Sequence, residues 1–295
     1  MRDLATALTV AAMAAATTTS APGRRIDLGG HRLHLHCTGR GSPAVVVENG
    51  FDELSTDWAL VQGRVSRTTR VCTYDRAGYG WSDLGPLPRT FDQMNLELRE
   101  ALRIAGEKPP FVLVGHSFGG GVVRQFARTR PGDVAGVVLV DIVSENQRIP
   151  MGDRVAYIAD SAGGKPIPAA HEAMGEADRA AWTSAPSARD LTGASEREWS
   201  SEYMARWRKE PQEGSLGRTP LVVLTRRRGG YEDRPGVAAI DLERERLQAQ
   251  AELAKLSSAG RHILVDSGHD MHIEAPEVVS QAIEDVVAAV RRPST

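Results

Sequence analysis

Residues 111–130 read FVLVGHSFGGGVVRQFARTR, and this stretch decides the fold of the chain. Its first part, Phe111–Val114, has the composition of a short buried strand. Directly after it, Gly115–Gly119 form the pattern G-x-S-x-G, and Gly120–Arg130 have helical composition. The order strand, tight turn, helix predicts that Ser117 sits in a strained backbone conformation with its hydroxyl projecting above the sheet.

Strand-like runs recur along the chain and alternate with helical segments. Turn-bounded, β-branched runs predict further strands at Leu33–Cys37, Ala44–Glu48, Val71–Tyr74, Gly136–Val140, Pro220–Leu224 and His262–Val265. Helices are predicted at Phe91–Ala105, which ends at Gly106, and at Leu242–Leu256. The alternation predicts an α/β fold with a mostly parallel, doubly wound sheet and a ligand site at the carboxyl ends of its strands.

One region interrupts the alternation. Residues 144–218 show no strand-like run and are rich in charged residues and alanine. We expect a helical cap inserted into a single core domain formed by residues 24–143 and 219–292. The cap carries aromatic residues that are expected to pack it onto the core or to line a pocket, with packing favoured: Trp182, Trp199, Tyr203 and Trp207.

The N-terminal residues 1–21 differ from the rest of the chain. An apolar run, Leu4–Ala16, follows Met1 and Arg2 and ends in small residues, which is the layout of a secretory signal peptide. The same composition also fits a disordered leader. We therefore expect either an extracytoplasmic protein or, without export, a cytoplasmic one. The run is too short for a transmembrane span, which needs about 20 apolar residues.

Composition limits the partners. With 25% charged residues and a formal net charge of −2, the chain has no basic field that would attract nucleic acid. No G-x-G-x-x-G follows a strand, and the two cysteines, Cys37 and Cys72, have no metal-ligand spacing. We predict no cofactor and no metal. The cysteines are either two buried thiols or a disulfide, and the disulfide would require an oxidising compartment.

A serine hydroxyl is a weak nucleophile that needs an adjacent base, so the chain must supply a histidine. His269 follows the last predicted strand in a loop from which its ring can reach Ser117. His272 is the local competitor. His116 lies inside the turn beside Ser117, where its side chain points elsewhere. We predict that His269 is the general base.

Three motifs resemble the α/β-hydrolase superfamily: Tyr74–Ser82, Gly115–Gly119, and Ser267–His269 continuing through Glu274–Pro276. They occur in the family's order and spacing, and the resemblance covers residues 26–291 with the insertion unmatched. It implies an α/β-hydrolase fold in which Ser117 belongs to a nucleophile elbow.

The resemblance also implies an oxyanion hole. Its donors would be the backbone N–H of Phe118 and one from the loop after Ala44–Glu48. Relatives often begin that loop with His-Gly, whereas this chain reads Glu48-Asn49-Gly50-Phe51. Phe51 takes the donor position, and Asn49 is expected to hold the loop rather than to contact substrate.

The triad acid has two candidates. Many relatives carry it after the strand matching Pro220–Leu224, but here the following loop is long and Asp233 lies far along it. Others carry it one strand earlier, where Asp141 follows Gly136–Val140. We favour Asp141, because an aspartate at a strand end is rigid enough to fix the imidazole tautomer, although it would also serve as a structural cap.

The resemblance implies a serine hydrolase that acts on a small ester or related acyl substrate, with carboxylesterase or lactonase activity first. Relatives that cleave haloalkanes or epoxides mostly use aspartate as the nucleophile, which Ser117 argues against. Hydrolytic C–C cleavage, aminopeptidase-like cleavage and acyl transfer to an alcohol stay open with the same triad. From a different class, a hydrolase-fold protein that binds a small ligand without turnover also stays open. The oligomeric state is not fixed by these patterns.

In the family's sheet order, the strand with Cys37 lies beside the strand with Cys72. Neighbouring strands are about 4.8 Å apart, which is compatible with a disulfide if the register aligns the two residues. We hypothesise that Cys37 and Cys72 form a disulfide in the mature protein.

Overall fold

A computed structural model describes residues 21–170 and 188–292. The predicted leader therefore lies outside the described residues except for Ala21. The strands are β1 (Arg24–Asp27), β2 (Arg32–Thr38), β3 (Val45–Glu48), β4 (Val71–Tyr74), β5 (Phe111–His116), β6 (Val134–Val140), β7 (Arg148–Met151), β8 (Arg154–Tyr157), β9 (Leu221–Arg226) and β10 (Gly260–Val265). The helices are α1 (Ala59–Val65), α2 (Phe91–Ala105), α3 (Gly119–Thr129), α4 (Ala188–Lys209), α5 (Ala239–Ala254), α6 (Met271–Glu274) and α7 (Pro276–Arg291).

Eight strands form the central sheet in the order β1-β2-β4-β3-β5-β6-β9-β10. β2 pairs antiparallel with β1 and β4, and the remaining neighbours run parallel. All seven predicted strands are present. The prediction of a mostly parallel, doubly wound α/β sheet is confirmed.

The central strands are apolar on both faces because helices cover both sides of the sheet. Along β3, Val45 and Val47 face an apolar cluster with α1 and α7, whereas Val46 faces the opposite cluster with α2 and α3. Alternate side chains of a strand point to opposite faces, so a fully apolar strand needs two cores. This accounts for the continuous apolar runs that mark the strands in the sequence.

The predicted bounds of Phe91–Ala105 agree with α2. The Thr90 side chain accepts a hydrogen bond from the backbone N–H of Gln93 at 3.0 Å, which caps the first turn. At the other end, Gly106 takes the left-handed conformation with φ of 84°. A left-handed residue at a helix end causes the least strain when it is glycine, because no Cβ opposes the positive φ.

The expectation that residues 144–218 are helical throughout is wrong. β7 and β8 form an antiparallel hairpin in which Ile149 pairs with Ala156. The two residues of its turn are Gly152, with φ of 66°, and Asp153. Gly-Asp between two short strands is a recognised hairpin signal. The brevity of the strands and a proline in β7 obscured it. α4, in the same region, is helical as predicted.

Two of the four aromatic residues in this region pack α4 onto the core. The rings of Tyr203 and Phe91 stack with centroids 4.5 Å apart, and Trp207 lies 5.9 Å from the same Phe91 ring. The Tyr203 hydroxyl donates a hydrogen bond of 2.6 Å to Asp92. Trp182 lies outside the described residues. In the part of the chain that the structure describes, no helix is both long and apolar enough to cross a bilayer.

The disulfide hypothesis is confirmed. Cys37 on β2 lies directly opposite Cys72 on β4 in the antiparallel register. Their Cα atoms are 4.0 Å apart, and the two sulfurs are bonded. The bond closes a loop with a sequence separation of 35 residues at the antiparallel end of the sheet. In the chain-entropy model a loop of that length stabilises the fold by about 3–4 kcal/mol.

We predict that Cys37→Ala/Cys72→Ala lowers the free energy of unfolding by up to about 3–4 kcal/mol, because the unfolded chain regains the loop entropy. Urea unfolding with and without reductant measures it. The wild type is expected to lose stability on reduction, whereas the double variant does not respond. Two alkylatable thiols in the unreduced, denatured wild type would contradict the disulfide.

Candidate active site

Ser117 lies in the turn between β5 and α3, at the carboxyl edge of the sheet. Its φ is 50°, an unfavourable value for any residue with a Cβ, and its backbone N–H bonds to Val140 O at 3.1 Å on the neighbouring strand. A Cβ on Gly119 would lie 2.5 Å from the backbone oxygens of Glu48, at the end of β3, and of Asn49, in the loop that follows. The flanking glycine is thus required for the close approach that exposes Ser117.

The structure brings Ser117, His269 and Asp141 together. His269 Nε2 lies 3.0 Å from Ser117 Oγ, and its Nδ1 lies 2.7 Å from Asp141 Oδ2. An ionised carboxylate only accepts hydrogen bonds, so Nδ1 carries the proton in this contact. The Nε2 lone pair then faces the serine hydroxyl. This is the arrangement that a general base needs.

Asp141 is almost completely buried and positively charged groups surround it. Its φ is 42° and its side chain is 1% exposed. Arg226, at the end of β9, donates from its backbone N–H at 3.2 Å and from its guanidinium, and Arg246 on α5 donates at 3.4 Å. Burial by itself raises the pKa of Asp141, but the hydrogen bond from His269 and the charge of Arg226 hold it below its ordinary value.

The two arginines were missed by the sequence reasoning. Arg226 lies two residues beyond the predicted strand Pro220–Leu224, which pairs with the strand that ends before Asp141. An arginine just past that strand was the one feature in the sequence that could have indicated a charged partner for Asp141.

Asp233, the alternative acid, lies elsewhere. Its carboxylate accepts a hydrogen bond of 2.8 Å from the backbone N–H of Ala239, in the first turn of α5. An acidic group at this position satisfies a helix N-terminal donor. In the described parts of the chain it has no contact with His269, so the structure gives Asp233 a capping contact.

His116 links the turn around Ser117 to the loop after β3. Its Nδ1 lies 2.5 Å from Glu53 and its Nε2 lies 2.9 Å from the backbone oxygen of His269. Both partners are acceptors, so both ring nitrogens donate and the ring is an imidazolium. Burial disfavours this charge, but Glu53 raises the pKa of His116 above its ordinary value. Despite burial, His116 lowers the pKa of Glu53 to about 2.

His272, the competitor of His269, makes no hydrogen bond to Ser117 among the described residues. Its ring stacks on Trp58 with centroids 4.6 Å apart and is buried. Neither of its nitrogens has a hydrogen-bond partner among the described residues. Burial, reinforced by the charge on His116, lowers its pKa to about 4. The ring is therefore neutral and packs as an aromatic group.

The two expected oxyanion donors lie at the same edge. The rings of Phe51 and Phe118 meet edge to face with centroids 6.0 Å apart. No acceptor in residues 21–170 or 188–292 binds the backbone N–H of either residue. Asn49 donates to Tyr74 O at 2.7 Å and is fully buried, so it holds the loop.

Groups with metal-ligand chemistry lie near Ser117 and His269. Glu53, His116 and His272 have ligand atoms within 4.8 Å of one another. The direct contact of 2.5 Å between Glu53 and His116 is shorter than the roughly 3.3 Å that separates two ligands of one tetrahedral zinc ion. The pair is thus arranged as an ion pair and not as a ligand set.

A cavity of about 760 Å³ lies between α4 and residues 159–167. Lys165, Glu202 and Arg206 are among its lining residues. It includes neither Ser117 nor His269, so it is a surface feature beside α4 and not the space in front of Ser117.

Residues 33–282 match the model of the Alpha/beta hydrolase family. The chain belongs to this family. Among curated relatives, it is 38% identical over 128 residues to "Probable transporter efuK" of Hormonema carpetanum, which is 41% of this chain and 18% of that protein. The chain spans less than half the length of the curated relatives that it matches.

Solved structures share the fold. A thermophilic esterase from Thermogutta terrifontis superposes with a TM-score of 0.60 at 21% identity, covering 92% of this chain and 100% of that one. The enol-lactonase from Burkholderia xenovorans LB400 gives a TM-score of 0.60 at 18% identity, covering 90% and 100%. At these identities the likeness concerns the fold alone.

We predict that Asp141→Asn lowers kcat by about 10⁴-fold, because the amide no longer fixes the imidazole tautomer. Asp233→Asn is the matched control, since it keeps an acceptor for Ala239 and is expected to change kcat by less than about tenfold. Ester hydrolysis by the purified variants measures both. The reverse ranking would move the acid to Asp233.

His269→Ala is expected to abolish hydrolysis, whereas His272→Ala is expected to change kcat by less than about tenfold, because its ring packs on Trp58 and not on Ser117. Steady-state kinetics distinguish the two. If the His272 variant is inactive but has native circular dichroism, while the His269 variant is active, His272 and not His269 is the general base.

Proposed function

We propose that the protein is a serine hydrolase that cleaves a small ester through an acyl-enzyme intermediate. Ser117 is the nucleophile, His269 the general base and Asp141 the acid. The proposal is carried by one observation, the continuous hydrogen-bonded chain from Ser117 Oγ through the His269 ring to Asp141, with contacts of 3.0 and 2.7 Å.

In the proposed acylation, Ser117 Oγ attacks the ester carbonyl while His269 Nε2 takes the hydroxyl proton. Asp141 stabilises the imidazolium that forms. The tetrahedral oxyanion accepts hydrogen bonds from the N–H groups of Phe51 and Phe118, and one such donor is worth about 10²–10³-fold in kcat. Collapse of the intermediate expels the alcohol, which takes the proton from His269.

Deacylation repeats these steps with water. His269 removes a proton from the water as its oxygen attacks the acyl carbonyl, and Ser117 leaves with that proton. The products are a carboxylic acid and the free enzyme. No step needs a cofactor, because the bond that breaks is an ordinary acyl–oxygen bond.

Carboxylesterase or lactonase chemistry fits best among the acyl transfers. An esterase and an enol-lactonase are among the proteins with this fold, and both names describe hydrolysis of an ester bond. Hydrolytic C–C cleavage and amide cleavage would use the same three residues. A ligand-binding protein without turnover would not need a serine in contact with a histidine base.

We predict that Ser117→Ala abolishes ester hydrolysis, with a loss in kcat of about 10⁶-fold, and leaves the fold intact. Ser117→Ala/His269→Ala is expected to be hardly worse than either single variant, since the two groups act as one unit. A fluorophosphonate probe should label the wild type and not the Ala variant. More than a tenth of wild-type activity in Ser117→Ala would remove the nucleophile assignment.

Substrate class is tested by assaying p-nitrophenyl esters from acetate to palmitate beside a γ-lactone, an aminoacyl p-nitroanilide and a vinylogous 1,5-diketone. We expect turnover of short esters or the lactone and none of the last two. Labelling by the fluorophosphonate without turnover of any ester would favour the C–C or amide alternatives. If the fluorophosphonate does not label the protein and no substrate is turned over, a ligand-binding role without catalysis is favoured.

A further inference from the structure

Arg76 is a buried cation beneath the loop that follows β3. Its side chain is 0% exposed. Nη1 donates to Asn49 O at 2.7 Å, and Nη2 donates to Gly50 O at 2.8 Å. One guanidinium therefore binds two successive carbonyl groups of the loop that carries Phe51.

These two contacts fix the orientation of two peptide units. A trans peptide is planar, and its C=O and N–H point in opposite directions. In the unit joining Asn49 to Gly50, Arg76 holds the oxygen, and the N–H of Gly50 donates to Glu53 at 2.6 Å. In the next unit, Arg76 holds Gly50 O, and the N–H of Phe51 has no acceptor within residues 21–170 and 188–292.

Arg76 is itself held from two sides. Glu48 on β3 accepts from its Nη1 at 3.0 Å, and Glu196 on α4 accepts from its Nε at 3.1 Å. The second oxygen of Glu196 accepts from the Tyr79 hydroxyl at 2.9 Å. The Glu196 side chain is 0% exposed. A helix of the inserted region thus supplies a buried charge that orients Arg76.

We propose that Arg76 is the positioning residue for the Phe51 oxyanion donor, and that Glu196 couples the docking of α4 to the assembly of the oxyanion hole. The inference rests on the proposed function. A guanidinium on Gly50 O fixes the direction of the adjoining N–H. It also polarises the peptide, which strengthens the N–H as a donor.

The test compares Arg76→Lys and Glu196→Gln with the wild type. An ammonium is a point donor and cannot hold both carbonyl groups in the geometry of a guanidinium. Arg76→Lys is expected to lower kcat by about 10²-fold or more with little change in KM, the size of a lost oxyanion donor. Glu196→Gln keeps an acceptor without the charge, so a loss of about tenfold in kcat is expected.

A thionoester substrate separates positioning from general damage. Its C=S sulfur is a poor hydrogen-bond acceptor, so its cleavage benefits little from an oxyanion donor. The ratio of kcat/KM for an ester to that of the matched thionoester is expected to fall at least about tenfold in Arg76→Lys and to fall in the same direction in Glu196→Gln. Reduced stability alone lowers both rates and leaves the ratio unchanged.

Arg89→Lys is the matched control. Arg89 is also fully buried and pairs with a buried glutamate, Glu97, through two bonds of 2.6 and 2.8 Å. Its side chain does not touch the loop after β3. The control variant is expected to lose stability and to keep the wild-type ester-to-thionoester ratio.

The outcomes separate this proposal from the proposed function. A wild type that neither hydrolyses esters nor reacts with a fluorophosphonate removes the proposed function and this proposal with it. An active wild type whose ratio is unchanged in folded Arg76→Lys overturns the positioning role alone. If Arg76→Lys does not fold, Glu196→Gln decides, because an unchanged kcat and ratio there overturn the coupling to α4.

Discussion

The register of the parallel strands is the constraint on which the rest of the site depends. His116 at the end of β5 lies opposite Val140 at the end of β6, which in turn lies opposite Leu224 on β9. Ser117 and Asp141 therefore leave the sheet side by side, although 24 positions apart in sequence. A slip of one residue would turn every side chain of a strand to the other face. The two faces pack against different sets of side chains, so a slip would require both apolar cores to repack.

Buried charges determine the conformation of the loops at this edge. Asp141 lies against Arg226, Glu53 against His116, and Arg76 between two glutamates. Removing one member of a buried ion pair costs about 3–5 kcal/mol, because the other charge stays desolvated. A loop conformation that separates such a pair therefore costs free energy comparable to a large part of the total folding stability of a domain. The paired charges therefore determine the loop conformations at the site, and apolar packing determines the sheet and helices that support them.

Local signals in the sequence predicted most of the fold. The predicted helix Phe91–Ala105 was read from its composition and from Gly106 at its end, a signal that acts within one turn. The hairpin at residues 148–157 carried a local signal too, its Gly-Asp turn, but strands of four residues give little periodicity. The contacts of Asp141 and Arg226 depend on register between strands 85 residues apart, which no local pattern encodes. The contact of His269 with Asp141 instead of Asp233 is likewise non-local, since it joins residues 128 positions apart.

α4 is attached to the core at two places that respond differently to displacement. The stack of Tyr203 on Phe91 excludes water, so lifting the helix there exposes aromatic surface and is opposed by the hydrophobic effect. At Glu196 the consequence is electrostatic. If α4 moves away, Arg76 still has Glu48 as a buried partner, so the guanidinium is not left unpaired, but it is drawn toward one carboxylate instead of being balanced between two. The aromatic contact therefore sets the cost of moving α4, and the ionic contact transmits that movement to the loop of Phe51.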